Sequence, residues 1–149
     1  MDDTDRRILR ALQQDCGRSL DALADAVGMS RNAVWRRVRI LEEHGVLRGR
    51  VALVDGDKVG LALRVFIQVR TDRHARDWST GFARAARAIP EILGVYRMTG
   101  DLDYLIEARV ADMADYDRLY QKLTEAVELR DVSASFVMEV IKETTALPV

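Results

Sequence analysis

Hydrophobic positions keep helical spacing through the first third of the chain and switch to strict alternation after residue 60. Periods of 3.6 and of two residues belong to helices and to half-buried strands, so the switch divides the chain into two kinds of structure. Ile8, Leu9 and Leu12 follow Thr4 and Asp5, either of which can cap a first helix, and Gly17 stops it. Ser19 caps a short second helix holding Leu20, Leu23, Ala24 and Val27, which Gly28 ends. Ser30 caps a third, where Val34, Val38 and Leu41 repeat at i, i+4 and i+7, Trp35 widens the stripe, and Gly45 terminates. "VLRGRVALV" is then rich in β-formers with a glycine at its bend, which predicts a short hairpin, and "DGDKVG" closes the unit.

From Leu61 the stretch "LALRVFIQVR" places Leu63, Val65, Ile67 and Val69 on one face, with Arg64, Phe66, Gln68 and Arg70 on the other. Trp78, Phe82, Ala85, Ala86 and Ile89 mark one face of a helix that ends at Pro90. "EILGVYRM" and "LDYLIEARV" read as strands separated by "TGD". A helix from Asp112 points Tyr116, Leu119, Tyr120, Leu123 and Val127 inward, and "VSASFVMEVIK" is a last strand. The order β-α-β-β-α-β is a ferredoxin-like unit. The predicted class is α+β: a winged helix-turn-helix with its linker strand over residues 1–60, then a ferredoxin-like βαββαβ domain over 61–149. The two helices of that domain should cover the sheet face with Val65, Ile67, Tyr104, Ile106, Phe136 and Met138. The opposite face carries Phe66, Leu105 and Val137, too apolar for open water over that area, so at least a homodimer is expected.

Composition excludes more than it assigns. The 149 residues are 48% hydrophobic and 32% charged with two prolines, a folded chain without low-complexity segments. No apolar run approaches the roughly 18 residues of a membrane helix. "MDDTDRR" has no apolar export core, and the single cysteine, Cys16, cannot form an internal disulfide. A cytoplasmic, nucleoid-associated protein with no membrane partner is expected. The net charge of −1 conceals a local imbalance: Arg31, Arg36, Arg37, Arg39, Arg48 and Arg50 face only Glu42 and Glu43. Phosphates feel local charge, within a Debye length of about 8 Å.

Helix, glycine turn, serine-capped helix and hairpin together form the pattern of a winged helix-turn-helix, whose second helix enters the major groove by its N-terminal end. Ser30, Arg31, Asn32, Trp35, Arg36 and Arg37 occupy that helix, with Arg48 and Arg50 on the wing. Arginine pairs bidentately with guanine and asparagine with adenine, and the free N–H groups of the helix start suit a phosphate. The competing reading is a solvated basic face. The expected partner is double-stranded DNA.

"TGDLDY" is the second motif: Gly100 permits positive φ, and the carboxylates of Asp101 and Asp103 follow it. Backbone amides beside an aspartate suit a zwitterion. Taken alone, the stretch reads first as a plain hairpin turn. Catalysis has little foothold. His44 and His74 lie in different predicted domains, and there is no metal-ligand spacing, nucleophile set or phosphate loop. Neither an enzyme nor a cofactor is expected.

These residues resemble the Lrp/AsnC family, the feast/famine transcriptional regulators of bacteria and archaea. "DDTDRRILRALQQD" is similar to the family's opening helix, and "LADAVGMSRNAVWRRVRILEEHGVLRG" to its DNA-binding unit. "TGDLDYLIEARV" and the closing "LPV" resemble its effector domain. The resemblance implies dimers assembling to octamers, with an effector, usually an amino acid, bound between subunits near the glycine–aspartate turn. It thus implies a ligand-binding role for Thr99, Gly100, Asp101 and Asp103. The chain departs from the family at "RGRVALV", which lacks an aromatic after the glycine, and at "ELRDV", which lacks a proline–glycine turn. Two other classes stay open: an architectural DNA protein without effector, and an enzyme or small-molecule module on the ferredoxin-like domain.

Overall fold

The computed structural model describes residues 1–72 and 76–149; His74 lies outside the described residues. The chain forms two compact units, Met1–Leu53 together with Ile141–Val149, and Val54–Val140.

The first unit holds α1 (Asp3–Gln14), α2 (Leu20–Val27) and α3 (Arg31–Glu43). Helix α1 starts earlier than Thr4 or Asp5 would set it, because Asp2 and Asp5 cap one another. Each carboxylate accepts the other's backbone N–H at 2.9 Å. Ser19 and Ser30 cap α2 and α3 as the sequence predicts, and Gly28 ends α2 in the left-handed region at φ 67°. Ile8, Leu23, Val27, Val34, Val38 and Leu41 close the core between the three helices. Leu147 and Gln13 exchange two hydrogen bonds, and Arg10 Nε donates to the Val149 carbonyl at 2.5 Å, which ties the C-terminal segment to α1.

The hairpin expected after α3 is not formed. Residues 48–54 pair with no strand, and Val51, Leu53 and Val54 are left exposed. Gly49 does not adopt the positive φ that a tight hairpin turn takes, and it stands between two like charges, Arg48 and Arg50.

The second unit contains β1 (Leu63–Arg70), α4 (Arg76–Ala88), β2 (Ile92–Arg97), β3 (Tyr104–Val110), α5 (Met113–Ala126) and β4 (Asp131–Phe136). The strand order is β2-β3-β1-β4 with every pair antiparallel, the ferredoxin-like arrangement that the sequence predicts. Val65, Ile67, Val69, Ile106, Ala108 and Val110 meet Phe82, Ile89, Leu119 and Leu123 in one buried layer. Met138 does not join them; it is wholly exposed. Strand β4 ends at Phe136, with Arg64 and Leu63 of β1 still beyond it. Val65 pairs with Phe136, the Val137 N–H still reaches the Arg64 carbonyl at 3.0 Å, and residues 138–142, "MEVIK", pair with no strand. On the face away from the helices Phe66, Leu105 and Val137 are half-buried.

Candidate functional site

Helix α3 divides its residues cleanly. Val34, Val38 and Leu41 are buried, and the turns between them carry Arg31, Asn32, Trp35, Arg36 and Arg39 outward. Gly28 sets the entry angle and the Ser30 hydroxyl accepts the Ala33 N–H at 3.4 Å, so the helix begins with its remaining N–H groups facing out. Asn32, Ala33, Trp35 and Arg36 line one shallow concavity. The Arg39 guanidinium lies 5.5 Å from the Trp35 ring centroid, a cation–π contact that steadies the half-exposed indole. Arg31 Nε stands 3.6 Å from Asp21 and Arg50 Nη2 3.2 Å from Glu42, both at the surface. Exposed pairs of this kind hold weakly and release their cation at small cost. Arg36 and Arg48 have no hydrogen-bond or ion-pair partner among the described residues.

Arg37 faces elsewhere. Its Nη1 donates to Asp5 at 2.7 Å and Asp2 at 2.8 Å, binding α3 to the cap of α1. Those bonds, Asp5 first and Asp2 second, raise the pKa of the guanidinium above its ordinary value. Asp2 is lowered in turn, mainly by the Asp5 N–H and then by Arg37. Arg37 thus fixes the helix rather than standing free on it.

In the second unit the link from β2 to β3 is residues 98–103, longer than "TGD" alone. Thr99, Gly100 and Asp101 are exposed, and Gly100 takes φ 98°. The Met98 N–H closes the turn on the Asp103 carbonyl at 2.9 Å, and the Asp103 N–H donates to the Val69 carbonyl at 3.1 Å. Asp103 is half-buried, not open: its Oδ2 accepts the Thr71 N–H at 2.8 Å. Arg70 Nε donates to the Asp101 carbonyl at 2.9 Å, and its Nη1 to Asp131 at 2.7 Å. The turn is therefore held from three sides, with Oδ1 of Asp103 making no bond among the described residues. Between α4 and β2, beside this turn, lies a cavity of about 380 Å3 with Arg87 and Arg97 on its wall. Sequence reading passed over both arginines. The signal available was Arg97, a cation two positions from Val95 in an alternating strand.

A serine-capped helix with an outward face of cations and the Asn32 amide, in a chain that continues into an antiparallel sheet unit, is the arrangement of a DNA-binding regulator. The AsnC-type helix-turn-helix domain matches residues 1–42, and the Lrp/AsnC ligand binding domain matches residues 64–147. The chain belongs to the Lrp/AsnC family of transcriptional regulators. It is 45% identical to the DNA-binding transcriptional activator DecR of Escherichia coli over 150 aligned positions, covering 100% of this chain and 99% of that one. An AsnC family transcriptional regulator from Agrobacterium tumefaciens superposes with TM-score 0.96 at 45% identity, covering 99% and 97% of the two chains. The transcriptional regulator NMB0573 of Neisseria meningitidis, solved as an L-Met complex, superposes with TM-score 0.95 at 35% identity over 99% and 96%. These relatives are regulators and not enzymes. No helix among the described residues is long and apolar enough to cross a membrane.

Proposed function

We propose that this regulator reads specific operator sequences with α3 and that an amino acid bound at residues 99–103 tunes its hold on them. The outward face of α3 carries this reading: Asn32 and Arg36 offer base-reading groups at its first turns, and Arg36 has no competing partner among the described residues. Ser30 and Arg31 lie at the phosphate-facing end, Trp35 packs against the groove wall, and Arg48 and Arg50 follow the backbone. Residues 1–60 are then the DNA-binding part, and residues 61–149 bind effector and associate. The free Oδ1 of Asp103 takes the ligand's ammonium, and the amides around Gly100 take its carboxylate. The neighbour solved with L-Met supports an amino acid as the ligand class. The half-apolar face with Phe66, Leu105 and Val137 is covered by a second copy, in dimers that assemble further, as in the family.

Mobility shift of the chain on its own upstream DNA and on scrambled duplex, with each of the twenty amino acids, tests this reading. A thermal-shift screen runs beside it, since a ligand at 100 times its dissociation constant stabilises by about 2.7 kcal/mol. DNA affinity that ignores every amino acid would favour an architectural protein without effector.

A further inference from the structure

Arginines in the second unit are mostly spent. Arg64, Arg70, Arg109, Arg118 and Arg130 each have a carboxylate partner. Arg84, Arg87 and Arg97 have none among the described residues, and the last two border the cavity between α4 and β2. Their meeting there follows from register. Arg97 pairs with Tyr104 and Val95 with Ile106, and Ile106 is buried against the helices. Directly opposed residues share a face, so Arg97 stands on the helix side of edge strand β2. Helix α4 turns Ser79, Ala83 and Arg87 toward the same space, at i, i+4 and i+8.

The floor is aromatic, with the Phe82 and Tyr104 ring centroids 4.7 Å apart and Phe82 fully buried. The lining contains two guanidinium groups and no carboxylate. A volume of about 380 Å3 admits a small organic molecule. Such a cavity matches a short carbon chain that lies on the rings and ends in a carboxylate, which a guanidinium binds by two parallel hydrogen bonds. Arg97 and Tyr104 are also the residues that bracket the 98–103 turn. A ligand whose amino-acid head sits at the turn has this cavity as the nearest pocket for its side chain.

We propose that Arg87 and Arg97 are specificity-determining residues that receive a negatively charged effector side chain, so that the effector is an acidic amino acid. The inference rests on the reading of residues 99–103 as the site of the amino-acid head. The unpaired cations set the preference: a neutral side chain of the same size leaves both guanidinium groups without an anion, while an acidic one gives each a charge-assisted bond.

Calorimetric titration of the full chain with L-glutamate, L-aspartate, L-glutamine, L-asparagine and glutarate tests it, in the wild type and in Arg87→Gln, Arg97→Gln and Asp103→Asn. An acid should bind about ten- to a hundredfold tighter than its amide, on the scale of hydrogen bonds to charged groups. That preference should collapse in Arg87→Gln and Arg97→Gln with thermal midpoints unchanged. Amides that bind as well as acids, or a preference that survives both substitutions, overturn the proposal; if Asp103→Asn still weakens binding, the turn remains the site of the head. Glutarate binding that needs Arg97 and ignores Asp103 keeps the anion cavity and removes the turn. No binding by any of the five overturns both. A change of oligomeric state in the arginine variants with ligand affinity intact also overturns it, and reassigns the pair to contacts between copies.

Discussion

The outer face of α3 and the turn at residues 98–103 both present charge at the end of a secondary element, and they treat that charge in opposite ways. On α3 and in the segment just after it the cations are free or held by surface pairs: Arg36 and Arg48 without partners among the described residues, Arg31 and Arg50 against exposed carboxylates. At the turn the backbone is fixed by bonds to neighbouring elements, with Asp103 on the Thr71 N–H and the Asp101 carbonyl on Arg70. The difference fits the size of what each would meet. A duplex is a dense array of phosphates, and neutralising it gains from counterion release whichever rotamer each cation adopts. A small ligand offers a few contacts, so its site gains affinity by being ordered beforehand.

The largest effect should come from the ordered site. Asp103→Asn keeps an acceptor for the Thr71 N–H and removes the charge. Amino-acid binding should therefore weaken by about 1.5–3 kcal/mol, the range for hydrogen bonds to charged groups. DNA affinity without ligand should stay put, and the ligand's effect on DNA binding at a given concentration should shrink, as linkage requires. Calorimetry plus operator binding with and without ligand reads both. Equal ligand affinity in the two proteins would make the turn a structural device alone.

On α3, Arg36→Ala should cost about 1–3 kcal/mol on operator DNA, the worth of a base-reading pair, and less on scrambled duplex. Asn32→Ala should relax base preference more than overall affinity. Titration of both duplexes at one salt concentration decides, and unchanged affinities for both variants would remove α3 from the groove. Arg50→Ala should act more gently, weakening both duplexes alike and lowering the slope of log K against log salt by about one. A loss confined to the operator would show Arg50 reading bases.

The smallest effect concerns Arg37 and the cap of α1. Asp2 has its carboxyl pKa lowered in the folded chain, first by the Asp5 N–H and then by Arg37. A lowered folded pKa means stability present at neutral pH and lost as the pH falls below the ordinary carboxylate value. The thermal midpoint of the first unit should therefore drop as the solution is taken through about pH 4, and Asp2→Asn should flatten part of that slope. An identical slope in the variant would show that the Asp2–Arg37 pair contributes nothing measurable, as many exposed pairs do.

What the sequence showed and what it hid separate by the range of the interactions involved. Ser19, Ser30 and Gly28 act on backbone within a few residues, and they punctuate the helices as their chemistry predicts. The alternation of Val65, Ile67 and Val69 found the covered face, because burial on one side is written into every second residue. The extent of β4 depends on pairing with a strand distant in the chain, which local alternation does not record, so "MEVIK" read as strand and is not. The missing hairpin failed for a similar reason: β-formers around Gly49 do not establish that two halves meet. Of the candidate residues, Arg36 and Arg37 are neighbours in the same basic run, and only the fold shows one outward and the other held by Asp2 and Asp5. The return of Leu147 and Val149 to α1 leaves no periodic trace, since it rests on two polar side chains, Gln13 and Arg10, and on the packing of one apolar residue, Val149.

That return has a consequence for the order in which the protein can be completed. Residues 141–149 belong to the first unit although the whole second unit intervenes in the chain. As the ribosome makes the protein, α1, α2 and α3 emerge early, yet Gln13 and Arg10 find their partners only when Leu147 and Val149 have been made. At about 5–20 residues per second, the three helices wait on the order of five to twenty seconds with that edge open. The second unit, continuous in sequence, has every residue it needs first. The part of the regulator that binds DNA is begun first and closed last.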